Sequence, residues 1–170
     1  MVQFWIILQE LYILGTESTL LNISKNFART EKLAERIFVD TNPFIYFLNR
    51  VEPFFDTVRN FFFEKRMNGA EFFTSTITDA EFMVKPLADF HLEELTFYRE
   101  FLKQFGFQKI EISEIISERS AAIRAKYKGV KLADGLQLAS SIDSLCDCFL
   151  TNDARLKQVQ EAHVLLLSDL

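Results

Sequence analysis

From Ile37 onward, short β-branched and aromatic runs alternate with longer segments of helical period. This alternation constrains the fold most, because strands separated by helices run parallel and their crossovers pack on the faces of one sheet. The spacing predicts strands at Ile37–Val39, Glu71–Thr74, Lys109–Ile112, Cys148–Leu150 and His163–Leu167. Predicted helices open at Asn42-Pro43, at Pro53 (Phe-rich, through about Phe63), near Thr78 or Asp79, and at Pro86 (through Phe105). Two more follow, one from Ser113 to Tyr127 and one over Lys131–Leu145. Pro in a first helical turn forfeits no hydrogen bond, and Ser113 is a favoured N-cap. The expected class is α/β with a mainly parallel sheet.

Residues 1–35 depart from the pattern, with an apolar opening, a Gly-Thr-Glu-Ser-Thr break and a charged RTEKLAER stretch. They are expected to be an N-terminal extension, helical or disordered, ahead of a single domain over residues 36–170. The opening MVQFWIILQELYILGT is broken by Gln9 and Glu10 and has no basic leader. Its apolar runs fall well short of the ~20 residues of a membrane span, so neither signal peptide nor anchor is expected.

With 49% apolar residues in 170, the chain can bury a real core. A formal charge of -5 excludes indiscriminate coating of nucleic acid, which relies on a basic surface. A local basic rim beside an acidic pocket remains compatible with it. The 19 Phe residues recur as Phe54-Phe55, Phe61–Phe63 and Phe72-Phe73. They belong on packed helix faces, any surplus forming an apolar surface for a partner or a second copy. Cys146 and Cys148 have no third Cys or clustered His beside them, which is not a zinc pattern. They read as reduced thiols of a cytoplasmic protein. His91 and His163 lack a Ser or Cys context, so nucleophilic catalysis has little support.

Four acidic residues stand at strand ends or in opening helical turns: Asp40, Glu81, Asp134 and Asp153. Ligands of parallel sheets bind outside the carboxyl ends of the strands, and all four are expected at that edge. Asp134 is also close to the positive end of its helix macrodipole. A carboxylate ending an apolar strand is poorly hydrated, and several together repel. A hard divalent cation with oxygen ligands answers both difficulties. The pattern points to metal-assisted chemistry at a phosphate ester. On the helix from Lys131, Asp134, Gln137 and Ser141 form a narrow polar stripe beside Leu132, Leu136, Ala139 and Ile142. Asp143 falls among the apolar positions without a physical reason in the sequence. Taken singly, Asp153 is also explained as a cap of the ARLKQVQ segment and Glu81 as a first-turn complement to the dipole. Asp40 is harder to explain away, because a strand-end carboxylate is costly unless paired or liganded.

At these residues the chain resembles a PIN domain, specifically the VapC-type toxins of prokaryotic toxin–antitoxin pairs. The resemblance rests on VDTNPFIYFLNR, TSTITDAEF, KLADGLQLASSI and FLTNDARL, in that order, with VLLLSDL closing the chain. It covers about residues 36–170 and implies a three-layer α/β/α fold and a cytoplasmic ribonuclease dependent on Mg2+ or Mn2+. Carried over position by position, Asp40, Glu81, Asp134 and Asp153 are the catalytic, metal-binding carboxylates. Thr41 or Asn42, and Thr151 or Asn152, would support them from behind. Lys128, Lys131 and Arg155, together with Lys126, are candidates for holding substrate phosphates at the rim. The implied partners are RNA, a small cognate antitoxin seated in an apolar groove, and often a second copy of the chain. The helix over Phe54–Phe63 is a candidate groove wall. Gly135 departs from the family, which usually has a better helix former there, a difference of about 1 kcal/mol.

Two other chemistries fit parts of the pattern. A haloacid-dehalogenase-type phosphatase also starts from a strand-end Asp, but it needs a second Asp where this chain has Asn42. A PIN-like module that binds without cleaving is the alternative of a different class, and metal titration separates it from a nuclease.

Overall fold

The structure is a computed structural model that describes residues 34–170. All but the last two residues of the expected extension over 1–35 lie outside the described residues. The elements in chain order are β1 (Arg36–Val39), α1 (Thr41–Leu48), α2 (Phe54–Met67), β2 (Glu71–Ser75), α3 (Thr76–Phe82) and α4 (Val84–Ala88). There follow α5 (Leu92–Phe105), β3 (Gln108–Ile110), α6 (Glu114–Lys126), α7 (Leu132–Asp143), β4 (Cys148–Thr151) and β5 (Val164–Leu166). Short 3-10 turns span Ala154–Gln158 and Leu167–Asp169. The five strands lie in the order β3-β2-β1-β4-β5, and every pairing is parallel. The parallel α/β expectation is borne out.

The strand period of two assigns the two cores. Ile37, Val39, Phe72 and Leu150 face a layer built from α1, α2 and α5, where Phe44, Phe47, Phe62, Phe101 and Phe105 pack. Phe38, Phe73 and Phe149 face the other layer, with Ile116 and Ile123 of α6 and Leu138 and Ala139 of α7. Register makes this possible, since Phe38 pairs with Phe73 on one side and with Phe149 on the other. The result is three layers, α/β/α, with a sheet covered on both faces as all-parallel sheets require.

The Phe surplus is mostly core. The ring of Phe62 lies 5.6 to 6.2 Å from those of Phe44, Phe47, Phe72, Phe101 and Phe105, contacts worth about 0.5–1.5 kcal/mol each beyond area burial. In α2, Phe55, Phe61 and Phe62 are buried in the core, while Phe54 and Phe63 are half-buried against it. Among the described residues, four exposed large apolar side chains lie close in sequence on α4 and its exit, Val84, Leu87, Phe90 and Leu92, while Met67, Ile115, Leu132, Leu145 and Leu170 are exposed elsewhere.

The helix expected from Pro86 through Phe105 is two helices. Pro86 sits inside the short α4, and the chain reverses at Phe90, whose φ is 58°, before α5 begins. The predicted stop holds, because Gly106 adopts φ 78° and its N–H closes on Leu102. Ser113 caps α6 through its hydroxyl, which accepts from the N–H of Ile116 at 3.2 Å. The third strand is two residues shorter at its end than expected, stopping at Ile110.

Gly135 has a packing reason. A Cβ there would lie 2.9 Å from Ser120 Oγ and 2.8 Å from Arg124 Cδ, so glycine lets α7 approach α6 closely. Asp143 also finds a partner, Arg119 of α6, at 3.8 Å. Cys146 and Cys148 are free thiols, and burial pushes both up to about 12. Among the described residues, no helix is long and apolar enough to cross a membrane.

Candidate active site

Strand direction brings the acidic residues to one edge. Asp40 directly follows β1, Glu81 lies on α3 immediately after β2, and Asp153 follows β4. Helix α7 runs into β4 and therefore opposite to the strands, which puts its first turn, with Asp134, at the carboxyl edge as well.

Asp40 is the centre. It is only 5% exposed, its Oδ1 accepts from the N–H of Thr41 at 2.7 Å, and its Oδ2 accepts from the Thr151 hydroxyl at 2.6 Å. Both hydrogen bonds favour the ionised form, yet burial outweighs them and raises the carboxyl from 3.8 to about 6, helped by the charges of Glu81 and Asp134. Those two carboxylates thus act on Asp40 through space although they are distant in sequence.

Two threonines join the acidic segments. Thr41 donates its N–H to Asp40 and its hydroxyl to Glu81 Oε2, at 2.5 Å. Thr151 donates its hydroxyl to Asp40 and accepts the N–H of Asp153 at 3.1 Å. Of the paired candidates, the threonines are the ones hydrogen-bonded to the acidic residues. Asn152 donates instead to the Tyr46 hydroxyl at 3.0 Å. Among the described residues, no hydrogen bond links Asn42 to any of the four carboxylates.

The remaining two carboxylates are turned to other partners. Asp134 accepts the N–H of Lys131 at 3.3 Å, completing its own helix start. Asp153 accepts the N–H of Arg155 at 2.9 Å and holds the Arg155 guanidinium in a forked ion pair, the contact through Nη2 being the shorter. That guanidinium keeps Asp153 below the ordinary carboxylate range. The capping role read for Asp153 is therefore real, and it coexists with a place at the edge. Accordingly, among the described residues no three His, Cys, Asp or Glu side chains stand grouped as ready ligands for a metal ion.

Arg155 is thus engaged with a carboxylate at the rim, and Lys131 adds a favourable charge to the same Asp153. Lys128 is exposed, and its carbonyl accepts from Gln158 at 3.4 Å. Lys126 is drawn away to Glu161 at 2.7 Å.

Two participants were not assigned roles from sequence. Gln137, on the polar stripe of α7, is fully buried and donates to both Glu81 and Thr41 at 3.0 Å. Asp79, two residues before Glu81, is removed from the cluster by the Tyr98 hydroxyl and Lys109 Nζ, each at 2.6 Å. The stripe was the signal for the first, whereas nothing local distinguishes Asp79 from Glu81.

Among the described residues, the groups acting on Asp40 are the Glu81 and Asp134 carboxylates, the Thr151 hydroxyl and the Thr41 N–H, with no thiolate or imidazole. That chemistry suits a hard divalent cation of the Mg2+ or Mn2+ class.

Comparison with known proteins follows this geometry. No curated protein matches the chain in sequence with statistical support. Among solved structures, a chain of VapBC2 from Rickettsia felis, bound to a DNA fragment from their promoter, superposes with a TM-score of 0.65 at 17% identity. That match covers 77% of this chain and 98% of the other. A chain of a toxin–antitoxin complex from Klebsiella pneumoniae gives a TM-score of 0.58 at 25% identity, covering 79% and 99%. FitAcB from Neisseria gonorrhoeae gives 0.61 at 19% identity, again covering 79% and 99%. The PIN domain profile matches residues 37–162, which contain all four acidic positions, strands β2 to β4 and all but the first residue of β1. On that match, and with the same fold in each of these neighbours, the chain belongs to the PIN-domain family.

Proposed function

We propose that this protein is a divalent-metal-dependent endoribonuclease acting as the toxin of a toxin–antitoxin pair. The observation that carries the reading is the buried Asp40, whose charge is opposed by burial and by two further carboxylates. A protein keeps such an arrangement at a cost to stability unless a cation uses it. Family membership and the toxin–antitoxin complexes among the structural neighbours support the choice of nuclease and the role.

Asp40 and Asp134 would hold the ion directly, with Glu81 and Asp153 completing its surroundings or orienting water. Bound there, a divalent ion supplies Lewis-acid polarisation of the phosphate and makes attacking water more acidic. Thr41 and Thr151 keep Asp40 in place by donating to its two oxygens. Arg155, more than half exposed, has the reach to exchange Asp153 for a substrate phosphate, with Lys128 and Lys131 as further phosphate contacts in this reading. The partners of this reading are RNA, a small antitoxin and a second copy of the chain. The apolar residues on α4 and its exit offer surface for either protein partner.

The test is RNA cleavage with Mg2+ or Mn2+ by wild type, Asp40→Asn and Asp134→Asn. Both variants are expected to lose cleavage by ~100-fold or more, the scale of removing transition-state charge stabilisation, and EDTA should stop the wild type. Undiminished cleavage in either variant, with no effect of EDTA, ends the idea. One observation favours the alternative of a PIN-like binding module: Asp153 is already neutralised by Arg155. Such a module would bind no Mn2+ at millimolar concentration in a calorimetric titration.

A further inference from the structure

Gln137, on the polar stripe of α7, is a buried polar side chain to which the proposed chemistry gives no role. It is completely buried, on a helix whose other inward residues include Leu138 and Ala139. A buried amide without partners is costly, and both ends of the Gln137 amide are hydrogen-bonded. Its NH2 group donates to Glu81 Oε2 and to Thr41 Oγ1, each at 3.0 Å, which uses both hydrogens. Its Oε1 accepts from the Thr78 hydroxyl at 3.1 Å, and Thr78 lies 2.8 Å from the Thr74 hydroxyl behind it. The amide direction is fixed, because the flipped form would set Oε1 against a carboxylate oxygen. Thr41, having accepted from Gln137, passes its own hydrogen to the same Oε2.

We propose that Gln137 is a positioning residue for Glu81. Together with Thr41 it anchors Oε2 and leaves Oε1, which has no hydrogen bond among the described residues, for a cation. One side chain of α7 thereby fixes the distance between the segment bearing Asp134, the helix bearing Glu81 and the start of α1 beside Asp40. The inference rests on the reading of these carboxylates as a cation site.

The test is Mn2+ binding by calorimetry without RNA, carried to millimolar metal so that weakened variants stay in range. Wild type, Gln137→Met, Glu81→Gln and the double variant are compared, with circular dichroism as the check on folding. Gln137→Met is expected to weaken binding by ~10- to 100-fold, the effect of removing a hydrogen-bond partner behind a metal ligand. In the Glu81→Gln background the same change should weaken it no further. Thr41→Val, which removes the other donor to Oε2, repeats the cycle if Gln137→Met does not fold. Binding by Gln137→Met equal to wild type, or an equal loss in both backgrounds, overturns the positioning role while leaving the cation site standing. A wild type that binds no Mn2+ overturns the site and this inference with it.

Discussion

Asp40→Asn is expected to stabilise the metal-free protein while abolishing its chemistry. The carboxyl is raised from 3.8 to about 6, first by burial and then by Glu81 and Asp134. A raised acid contributes stability that is fully present below the unfolded value of 3.8 and is lost as the pH rises through about 6. At ~1.36 kcal/mol per pK unit, ionising Asp40 costs the folded state about 3 kcal/mol by pH 8. Asn escapes that cost and keeps the local bonds, its oxygen accepting from Thr41 N–H and its NH2 donating to Thr151 Oγ1. Urea unfolding followed by circular dichroism, in EDTA, should give a gain near zero at pH 4 that grows to about 3 kcal/mol at pH 8. The corresponding rise in Tm is roughly 6–12 °C for a domain of this size. Saturating Mn2+ should close most of the gap, because a ligand at ~100-fold its Kd stabilises the wild type by about 2.7 kcal/mol. A variant no more stable than wild type at pH 8, or a difference that does not change between pH 4 and pH 8, would refute the account of Asp40.

Arg155→Ala releases Asp153 from its ion pair, so Mn2+ should bind more tightly by up to about 5-fold, the scale of an exposed pair. The same variant should raise KM for RNA, and calorimetry beside steady-state kinetics checks the opposite signs. Gly135→Ala gains about 1 kcal/mol of helix propensity but drives a methyl group against Ser120 Oγ and the Arg124 stem, where overpacking costs about 1–3 kcal/mol. A net loss near 1 kcal/mol is expected, partly recovered in combination with Ser120→Ala, and a rise in Tm on Gly135→Ala alone would contradict it.

Much of the fold was readable because parallel strands buried on both faces leave continuous apolar runs. Ile37–Val39, Phe72–Thr74 and Cys148–Leu150 all carry that signature, and each is found in the sheet. The helix starts near Pro43, which falls in the first turn of α1 behind the Asp40 cap, and at Ser113 were equally local matters of an unpartnered N–H. The break between α4 and α5 was not readable. No Gly or Pro marks Phe90, whose backbone is nonetheless left-handed. Asp143 and Gly135 were puzzles of the sequence alone, since their reasons, Arg119, Ser120 and Arg124, all lie on the neighbouring α6.

For the candidate site, the division follows the range of the forces. The sequence by itself determined that acidic residues end strands and open helices, because strand polarity and helix period place a side chain relative to its own element. Tertiary structure decided which of them feel one another. Thr151, not Asn152, meets Asp40 through a hydrogen bond that forms only when β1 and β4 pair, whereas the Thr41 N–H bond to Asp40 is local and it is the Thr41 hydroxyl that reaches Glu81 across 40 positions. Gln137 meets Thr41 across 96 positions of chain, and Arg155 turns Asp153 aside within two. Burial, the largest influence on Asp40, belongs to no residue alone, since it exists only once two layers of helices have closed over the sheet.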